Sequence, residues 1–365
     1  MAEGKRGLRV LIAGGGTGGH IIPALAIARE LEDRFQAEVR FVGTSRGLET
    51  RLVPAAGYRL ELIPVGQLKN VSLMTKLRTL LDLPLGVARC FALLREFKPH
   101  VVVGVGGYAS GPAMLAAILS RVPTLAFEPN AAPGLANRLI GKRVSAAAVN
   151  FPPAAAWFRN AQVTGIPVRL EFFDIQPRPA GGSLRLLVFG GSQGGRVLNE
   201  QMAAIAPRLL EALPTLTILH QAGSRLAEQT RADYAASGAL ADRWQVEPFL
   251  EEMPAQFALA DLILARSGAS TVAELAAAGK PALLIPFAAA ADDHQRRNAE
   301  VLVDAGAAVM LLEQDATADR LLDMLLGLLG DPDQLHAMGE KARSLAHPDA
   351  ARRIADQICA LAVER

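Results

Sequence analysis

Two stretches of the chain are near-copies of one another. LRVLIAGGGTGGH (8–20) and LRLLVFGGSQGGR (184–196) align without a gap, match at seven of thirteen positions, and lie 176 residues apart. Each runs from a short apolar segment through a cluster of glycines into a helical pattern. A strand, a bare-backbone turn and a helix N-terminus, in that order, make the opening unit of a nucleotide-binding α/β domain. A chain of 365 residues has length for two such domains, each with its own core.

The rest of each half keeps the alternation. AEVRFVG, HVVVGVGG and VPTLAFE in the first half read as strands, as do TLTILHQAG, WQVEPFL, DLILARSG and PALLIPF in the second. The expected fold class is α/β. It comprises two Rossmann-like domains whose mainly parallel sheets face a deep interdomain cleft, with helices on both faces of each sheet. The Pro- and Gly-rich segment VTGIPVRLEFFDIQPRPAGGSLR (163–185) divides them, giving domains over 1–165 and 166–345. An amphipathic helix over 346–365, with Ile354, Ile358 and Leu361 on one side, can pack back on the first domain. Ligands of open α/β sheets bind beyond the carboxyl ends of the strands, which is where the glycine loops fall.

Composition narrows the class. With 51% hydrophobic and 20% charged residues, the chain is globular rather than disordered. It has no uncharged apolar run of about 18 residues and no apolar stretch of signal length before the first glycines, so neither a membrane span nor secretion is expected. Cys90 and Cys359 lack metal-ligand spacing and read as buried thiols in a reducing compartment. The net charge of +2 hides an asymmetry. Residues 1–165 hold 20 Lys and Arg against 10 Asp and Glu, while residues 166–365 hold 18 against 26. The first half should therefore favour an anionic partner or surface.

The first loop fits G-x-G-x-x-G through Gly14, Gly16 and Gly19. The second strand, however, ends in Gly43 and Thr44 without an acid for a ribose, which argues against a dinucleotide cofactor. No Gly-Lys-Ser/Thr follows, so the loop is not a P-loop. What remains is backbone that a ligand can approach closely, aimed by a helix N-terminus. His20 falls just past this loop, where the helix dipole disfavours an imidazolium. A neutral imidazole can accept a proton from a hydroxyl nucleophile; local capping or packing is the alternative. GGSQGG (190–195) also fits the G-x-S-x-G of a hydrolase elbow, with Asp293 and His294 following in suitable chain order. Adjacent residues rarely serve one triad, and the first loop is a copy without the serine. The better reading is that the amides of 191–195 and the Ser192 hydroxyl hold a phosphate.

In ARSGASTVAELAAAG (265–279), the amides of Gly268 to Thr271 precede a helix carrying Glu274, whose carboxylate suits the vicinal hydroxyls of a ribose. DDHQRRNA (292–299) hints at a metal, but no second acidic or histidine cluster has a matching spacing. Asp292 as a helix cap and Gln295 as a hydrogen-bonding side chain is more economical. Arg169, in GIPVR, suits a diphosphate. Over 68–97, Leu73, Met74, Leu77, Leu80 and Leu81 interleave with Lys69, Lys76, Arg78 and Arg89. Such a stretch seats a protein on an anionic bilayer, or simply faces a core.

Taken together, GGGTGGHIIPALAIAREL, GVGGYASGP, TGIPVR, FGGSQGG, ARSGASTVAEL and DDHQRRNA resemble the MurG family of bacterial glycosyltransferases, in order and spacing, along nearly the whole chain. The resemblance implies a GT-B fold and an inverting hexosyltransferase of peptidoglycan biosynthesis. Such an enzyme moves N-acetylglucosamine (GlcNAc) from UDP-GlcNAc to the 4-hydroxyl of the N-acetylmuramoyl unit of undecaprenyl-linked lipid I, giving lipid II and UDP. It further implies no cofactor, no metal and no nucleic acid. The implied location is peripheral, on the cytoplasmic face of the cell membrane, bound to its anionic surface through the basic first domain, with cell-wall synthesis proteins as partners.

Carried over residue by residue, Thr17, Gly18 and Gly19 lie near the donor, and Asn130 contacts it. Glu128 matches a family acid and joins His20 as a candidate base. Arg169 and Ser192 contact the nucleotide diphosphate, and Leu250 offers its main chain to uracil. Ala269, Ser270, Thr271, Val272, Ala273 and Glu274 line the nucleotide pocket, and Gln295 holds the sugar hydroxyls. Where many members have EQN, this chain has EPN at 128–130, so Pro129 removes an amide and a side chain. Three alternatives stay open: a transferase acting on another lipid acceptor, a non-catalytic nucleotide-sugar binder, and a serine hydrolase built on Ser192.

Overall fold

The computed structural model describes residues 7–65, 73–178, 182–191 and 194–363, with side chains described from Asp82 onward in the helix that begins at Leu73. The chain forms two compact units, Met1–Pro167 with Asp349–Arg365, and Val168–Pro348.

The first unit is built on seven strands: β1 (Arg9–Ala13), β2 (Glu38–Gly43), β3 (Arg59–Leu62), β4 (Val101–Gly104), β5 (Thr124–Glu128), β6 (Ala146–Val149) and β7 (Ala161–Val163). Their order is β3-β2-β1-β4-β5-β6-β7, and every neighbouring pair is parallel. Helices α1 (Gly18–Phe35), α2 (Glu49–Ala55), α3 (Leu73–Phe97), α4 (Ser110–Leu119), α5 (Leu135–Ile140) and α6 (Pro152–Ala155) make the connections. β4 is buried along its whole length and β1 nearly so, as expected of a parallel sheet covered on both faces. α1 turns Ile21, Ala24, Ile27, Ala28 and Leu31 inward, the spacing of an amphipathic helix. The chain reverses direction across the sheet at β1, which pairs with β2 on one side and β4 on the other. The loops leaving β1 and β4 therefore flank a topological switch point, the place where such sheets bind ligands.

The second unit repeats the plan with β8 (Arg185–Phe189), β9 (Thr217–Gln221), β10 (Trp244–Glu247), β11 (Leu262–Ala265), β12 (Ala282–Leu284) and β13 (Ala308–Met310). The order is β10-β9-β8-β11-β12-β13, again parallel throughout. Its helices are α7 (Arg196–Ala212), α8 (Ala227–Ser237), α9 (Met253–Leu259), α10 (Ala269–Ala278), α11 (His294–Asp304), α12 (Ala318–Leu329) and α13 (Pro332–Ser344). Here the switch point lies between β8 and β11, under the loops carrying Gly191 and Arg266. Side chains cap α12 and α13: Thr317 accepts from the Arg320 amide before α12, and Asp331 from the Gln334 amide at 2.9 Å before α13.

The last helix, α14 (Ala350–Val363), returns to the first unit and packs on α1. It buries Ala350, Ile354, Ala355, Ile358 and Ala362, while Leu361 is half-buried. Arg34 Nη2 donates to Asp356 Oδ1 at 2.8 Å, and Gln357 Nε2 donates to Gln162 Oε1 at 2.7 Å. Among the described residues, no helix is long and apolar enough to cross a membrane.

Candidate active site

In the first unit, the loops after β1 and β4 touch through their backbones. A Cβ on Gly14 would stand 2.7 Å from the Gly106 carbonyl, and one on Gly107 would stand 2.3 Å from the Gly15 carbonyl. Thr17 is the N-cap of α1, in extended conformation with no side-chain cap bond. Gly18, Gly19 and His20 form the first turn, and the amides at the very start of a helix have no intrahelical partner. His20 and Ile21 donate their amides back to the Thr17 carbonyl at 3.2 and 3.3 Å. The partly exposed His20 ring lies against Gly106, whose φ of +91° and missing side chain both make room for it. Thr17, Gly18, Gly19 and His20 are thus gathered at one switch point.

Glu128 closes β5 at 2% exposure. Its Oε1 accepts from the Asn130 amide at 3.0 Å and from Asn130 Nδ2 at 3.1 Å. Its Oε2 accepts from the Gly134 amide at 3.1 Å and from Asn137 Nδ2 at 2.9 Å. Burial pushes this carboxyl above the usual carboxylate range, while the four N–H donors pull it back by favouring the ionised form. With both oxygens engaged, Glu128 organises the 128–134 loop rather than presenting a lone pair to a substrate. Pro129 fits the same loop, since its carbonyl accepts from Asn150 Nδ2 at 3.1 Å and no amide is needed there. Asn130 is half-buried beside it.

In the second unit, Gly268 caps α10, placing the amides of Ala269, Ser270 and Thr271 in its first turn. Val272 is 1% exposed, and its amide bonds the Gly268 carbonyl at 3.0 Å. Its side chain is packed into the second unit, as is that of Ala269. Ala273 and Glu274 keep partial exposure. Loss of water around the Glu274 carboxyl lifts it from 4.5 to about 7, with the Arg169 guanidinium pulling the other way. Arg169 is exposed and lies 5.2 Å from the Phe172 ring centroid. Gln295 Oε1 accepts from the Phe287 amide at 2.9 Å, which orients its amino group as a donor. Ser192 and its neighbour Gln193 lie outside the described residues, as do Lys69 and the side chains of Leu73 to Leu81.

Asp292 does not hold the N-cap position of α11. Asp293 holds the N-cap position of α11, at φ 54° and without a side-chain cap bond, and its Oδ2 lies 3.8 Å from Arg296 Nη1. Among the described residues, no group of three His, Cys, Asp or Glu side chains is close enough to hold a metal ion.

Several supporting residues escaped the sequence reading. Gln221 is 2% exposed at the end of β9. Its Nε2 donates to the Gly191 carbonyl and its Oε1 accepts from the Leu250 amide, both at 3.1 Å. One buried side chain thus ties the glycine loop after β8, the third along the chain, to the segment expected to meet uracil, and leaves the Leu250 carbonyl for a ligand. Arg266 donates to the carbonyls of Ile285 and Pro286 at 3.0 and 3.2 Å and pairs with Glu313, which also accepts from the Ala288 amide at 2.8 Å. Together they hold the loop before Gln295. Glu49 plays a comparable part in the first unit. The available signal was a polar residue at the carboxyl end of an apolar strand for Gln221 and Arg266, and an acid just after Gly47 for Glu49.

Comparison with known proteins places these features. The model of the glycosyltransferase family 28 N-terminal domain matches residues 10–149, and that of the family 28 C-terminal domain matches residues 185–354. A UDP-N-acetylglucosamine--N-acetylmuramyl-(pentapeptide) pyrophosphoryl-undecaprenol N-acetylglucosamine transferase of Solibacter usitatus is 46% identical over 348 residues, covering 95% of this chain and 94% of its own. The enzyme of the same name from Anaeromyxobacter dehalogenans is 45% identical over 363 residues, covering 98% and 94%. The crystal structure of Acinetobacter baumannii MurG superposes with a TM-score of 0.80 at 32% identity, covering 96% of this chain and 99% of that one. A UDP-GlcNAc 2-epimerase from Neisseria meningitidis, at 14% identity and a TM-score of 0.68, shares the fold alone. Two family domains in order, and relatives this similar from end to end, make the chain a member of glycosyltransferase family 28, in its MurG branch.

Proposed function

We propose that this chain transfers GlcNAc from UDP-GlcNAc to the 4-hydroxyl of the N-acetylmuramoyl unit of lipid I, releasing lipid II and UDP. The observation that carries the reading is the 46% identity, along 95% of the chain, to an enzyme whose name states this reaction. The acceptor hydroxyl oxygen attacks the anomeric carbon of GlcNAc. His20 takes the hydroxyl proton, the bond from that carbon to the β-phosphate oxygen breaks, and UDP departs with the electron pair. Attack opposite the leaving group inverts the centre and gives a β-1,4 link. His20 is preferred to Glu128 as the base because both Glu128 oxygens are occupied by N–H donors.

Charge gathers on the β-phosphate as UDP leaves. Arg169 and the amides of the third glycine loop are assigned to it, in the manner of an oxyanion hole. The Glu274 carboxylate takes the ribose hydroxyls, the Leu250 carbonyl takes the uracil N–H, and Gln295 donates to the sugar.

We assign the membrane-facing surface to the first unit. Leu85, Leu115, Leu119 and Leu139, on the successively packed helices α3, α4 and α5, are 62%, 40%, 63% and 65% exposed, and Trp157 is 45% exposed. Arg121, Lys142 and Arg143 are exposed on the same helices or just beyond them. Apolar tips beside cations suit an anionic bilayer at the cytoplasmic face.

The test is to incubate the purified chain with UDP-GlcNAc and a short-chain lipid I analogue and follow products by mass spectrometry. Disaccharide lipid with equimolar UDP is expected. Donor binding without disaccharide would overturn the acceptor assignment.

A further inference from the structure

Glu49 is a carboxylate at 0% exposure that takes no part in the chemistry just described. It opens α2, six residues past the end of β2. Its Oε2 accepts from the Gly16 amide at 2.7 Å. Its Oε1 accepts from the amide and the hydroxyl of Thr44, at 3.0 and 2.9 Å. The Gly16 carbonyl accepts in turn from the Leu48 amide at 3.4 Å. Three glycines make space for the acid. A Cβ would come within 2.3 Å of Oε1 at Gly15, 2.7 Å of Cγ at Gly43 and 1.9 Å of Oε2 at Gly47. A buried charge is costly unless it is hydrogen-bonded, and here three donors converge on it. An amide in its place would turn an NH2 toward one of those donors.

From Glu49 a chain of backbone contacts leads to His20. Gly15, which rests on the carboxylate, bears the backbone of Gly107, and the adjacent Gly106 bears the His20 ring. Gly16, held directly by the carboxylate, precedes Thr17, the N-cap of the helix that carries His20. One side chain therefore fixes both the start of α1 and the shelf under the imidazole. No flexible side chain intervenes to absorb a displacement.

We propose that Glu49 is a positioning residue for glycosyl transfer. Its buried carboxylate sets the first glycine loop and, through it, the place of the His20 imidazole relative to the attacking hydroxyl. Glu49 touches no reacting atom, and the proposal rests on the reading of His20 as the base.

A purely structural acid would, when replaced, lower stability and leave the turnover of folded molecules intact. The test compares Glu49→Gln with Gly47→Ala, whose methyl invades the seat of the carboxylate while leaving the acid in the chain. Thermal melts establish the folded fraction, steady-state kinetics with UDP-GlcNAc and a lipid I analogue give kcat and KM, and titration calorimetry gives UDP affinity. Both variants are expected to lose about 10- to 100-fold in kcat, the scale of a misplaced catalytic group. UDP affinity should stay within about twofold, because its assigned contacts are Arg169, Leu250 and Glu274, whereas Glu49 is bonded to Gly16 and Thr44. Thr44→Val, which removes one of the three bonds, should lose a few-fold in kcat and decides the matter if the other two do not fold. Parental kcat in folded Glu49→Gln, or kcat and UDP affinity falling together, would overturn the proposal. His20→Ala is assayed alongside. If it keeps parental turnover, the base assignment has failed; an inactive His20→Ala beside a fully active Glu49→Gln fails this proposal alone.

Discussion

The His20 imidazole rests on the backbone of Gly106, where a Cβ would come within 2.7 Å of Cε1 and 2.9 Å of Nδ1. Those two ring atoms sit too close to tolerate even a methyl group, so the ring and the loop after β4 are positioned together. Gly106→Ala is expected to push the imidazole out of place and lower kcat about 100-fold, a cost in line with an ångström-scale misplacement. UDP affinity should be unchanged. Steady-state turnover beside a UDP titration checks this, and parental turnover in a folded Gly106→Ala would detach the ring from the chemistry.

Glu274 predicts opposite pH responses for the free and the UDP-bound protein. Its carboxyl is raised from 4.5 to about 7 by burial. Between those values the folded state holds a proton that the unfolded state has released, so this group's contribution to stability is lost as pH rises toward 7. Ribose hydroxyls need the ionised form, so UDP should bind more tightly over the same rise. Below pH 7 its affinity should fall by up to about tenfold per unit. Calorimetric titration from pH 5.5 to 8 measures the slope, and Glu274→Gln should flatten it while weakening binding at pH 8.

His220 gives the second unit an acid limit. It is fully buried between Tyr234 Oη and Asn199 Oδ1, each 3.1 Å from a ring nitrogen. Burial lowers it from 6.5 to about 3. In that interval the unfolded chain binds a proton that the folded one refuses, so stability rises with pH and is lost as pH falls below about 6.5. Between pH 7 and 4 the loss should be on the order of 3 kcal/mol. Denaturant melts should show parental stability falling relative to His220→Gln as pH falls, a comparison in which the opposing change at Glu274 cancels.

Cutting the link between Gly191 and Leu250 should damage donor binding from a distance. Gln221→Ala removes both 3.1 Å bonds, leaving the half-buried Gly191 carbonyl with only the Gly194 amide and the half-buried Leu250 amide without the partner it had. At about 0.5–1.5 kcal/mol per hydrogen bond, the two together cost about 1–3 kcal/mol. UDP should therefore bind roughly 5- to 100-fold more weakly, with little change in kcat at saturating donor. A UDP titration of the variant that matches the parent would show that the loop and the Leu250 segment hold their places without this side chain.

Strands rich in β-branched residues, such as VVVG in β4, could be read directly, and so could the apolar RVLIA and LILA of β1 and β11. RLEL, AAAV, AQV and AVM could not, though they form β3, β6, β7 and β13. Three of these are edge strands of three or four residues, too short for a period to register, and the fourth is largely alanine. Of the site, His20, Arg169 and Glu274 stood near glycines that drew attention to them, and Gln295 followed the DDH cluster. Glu49 and Gln221 did not, because the groups that give them meaning are 33 and 30 residues away in the chain.

Sequence alone determined the tandem α/β plan, the glycine turns and the helix starts. All of these rest on geometry that repeats within a few residues, so the pattern is legible wherever it is long enough. The tertiary structure decided which backbone groups each buried polar side chain meets. It put Glu49 under Gly16, drew four donors onto Glu128, and returned α14 to α1. Those outcomes follow from strand order, which brings the ends of non-consecutive strands side by side. A carboxylate or an amide buried there must find partners that no local pattern names.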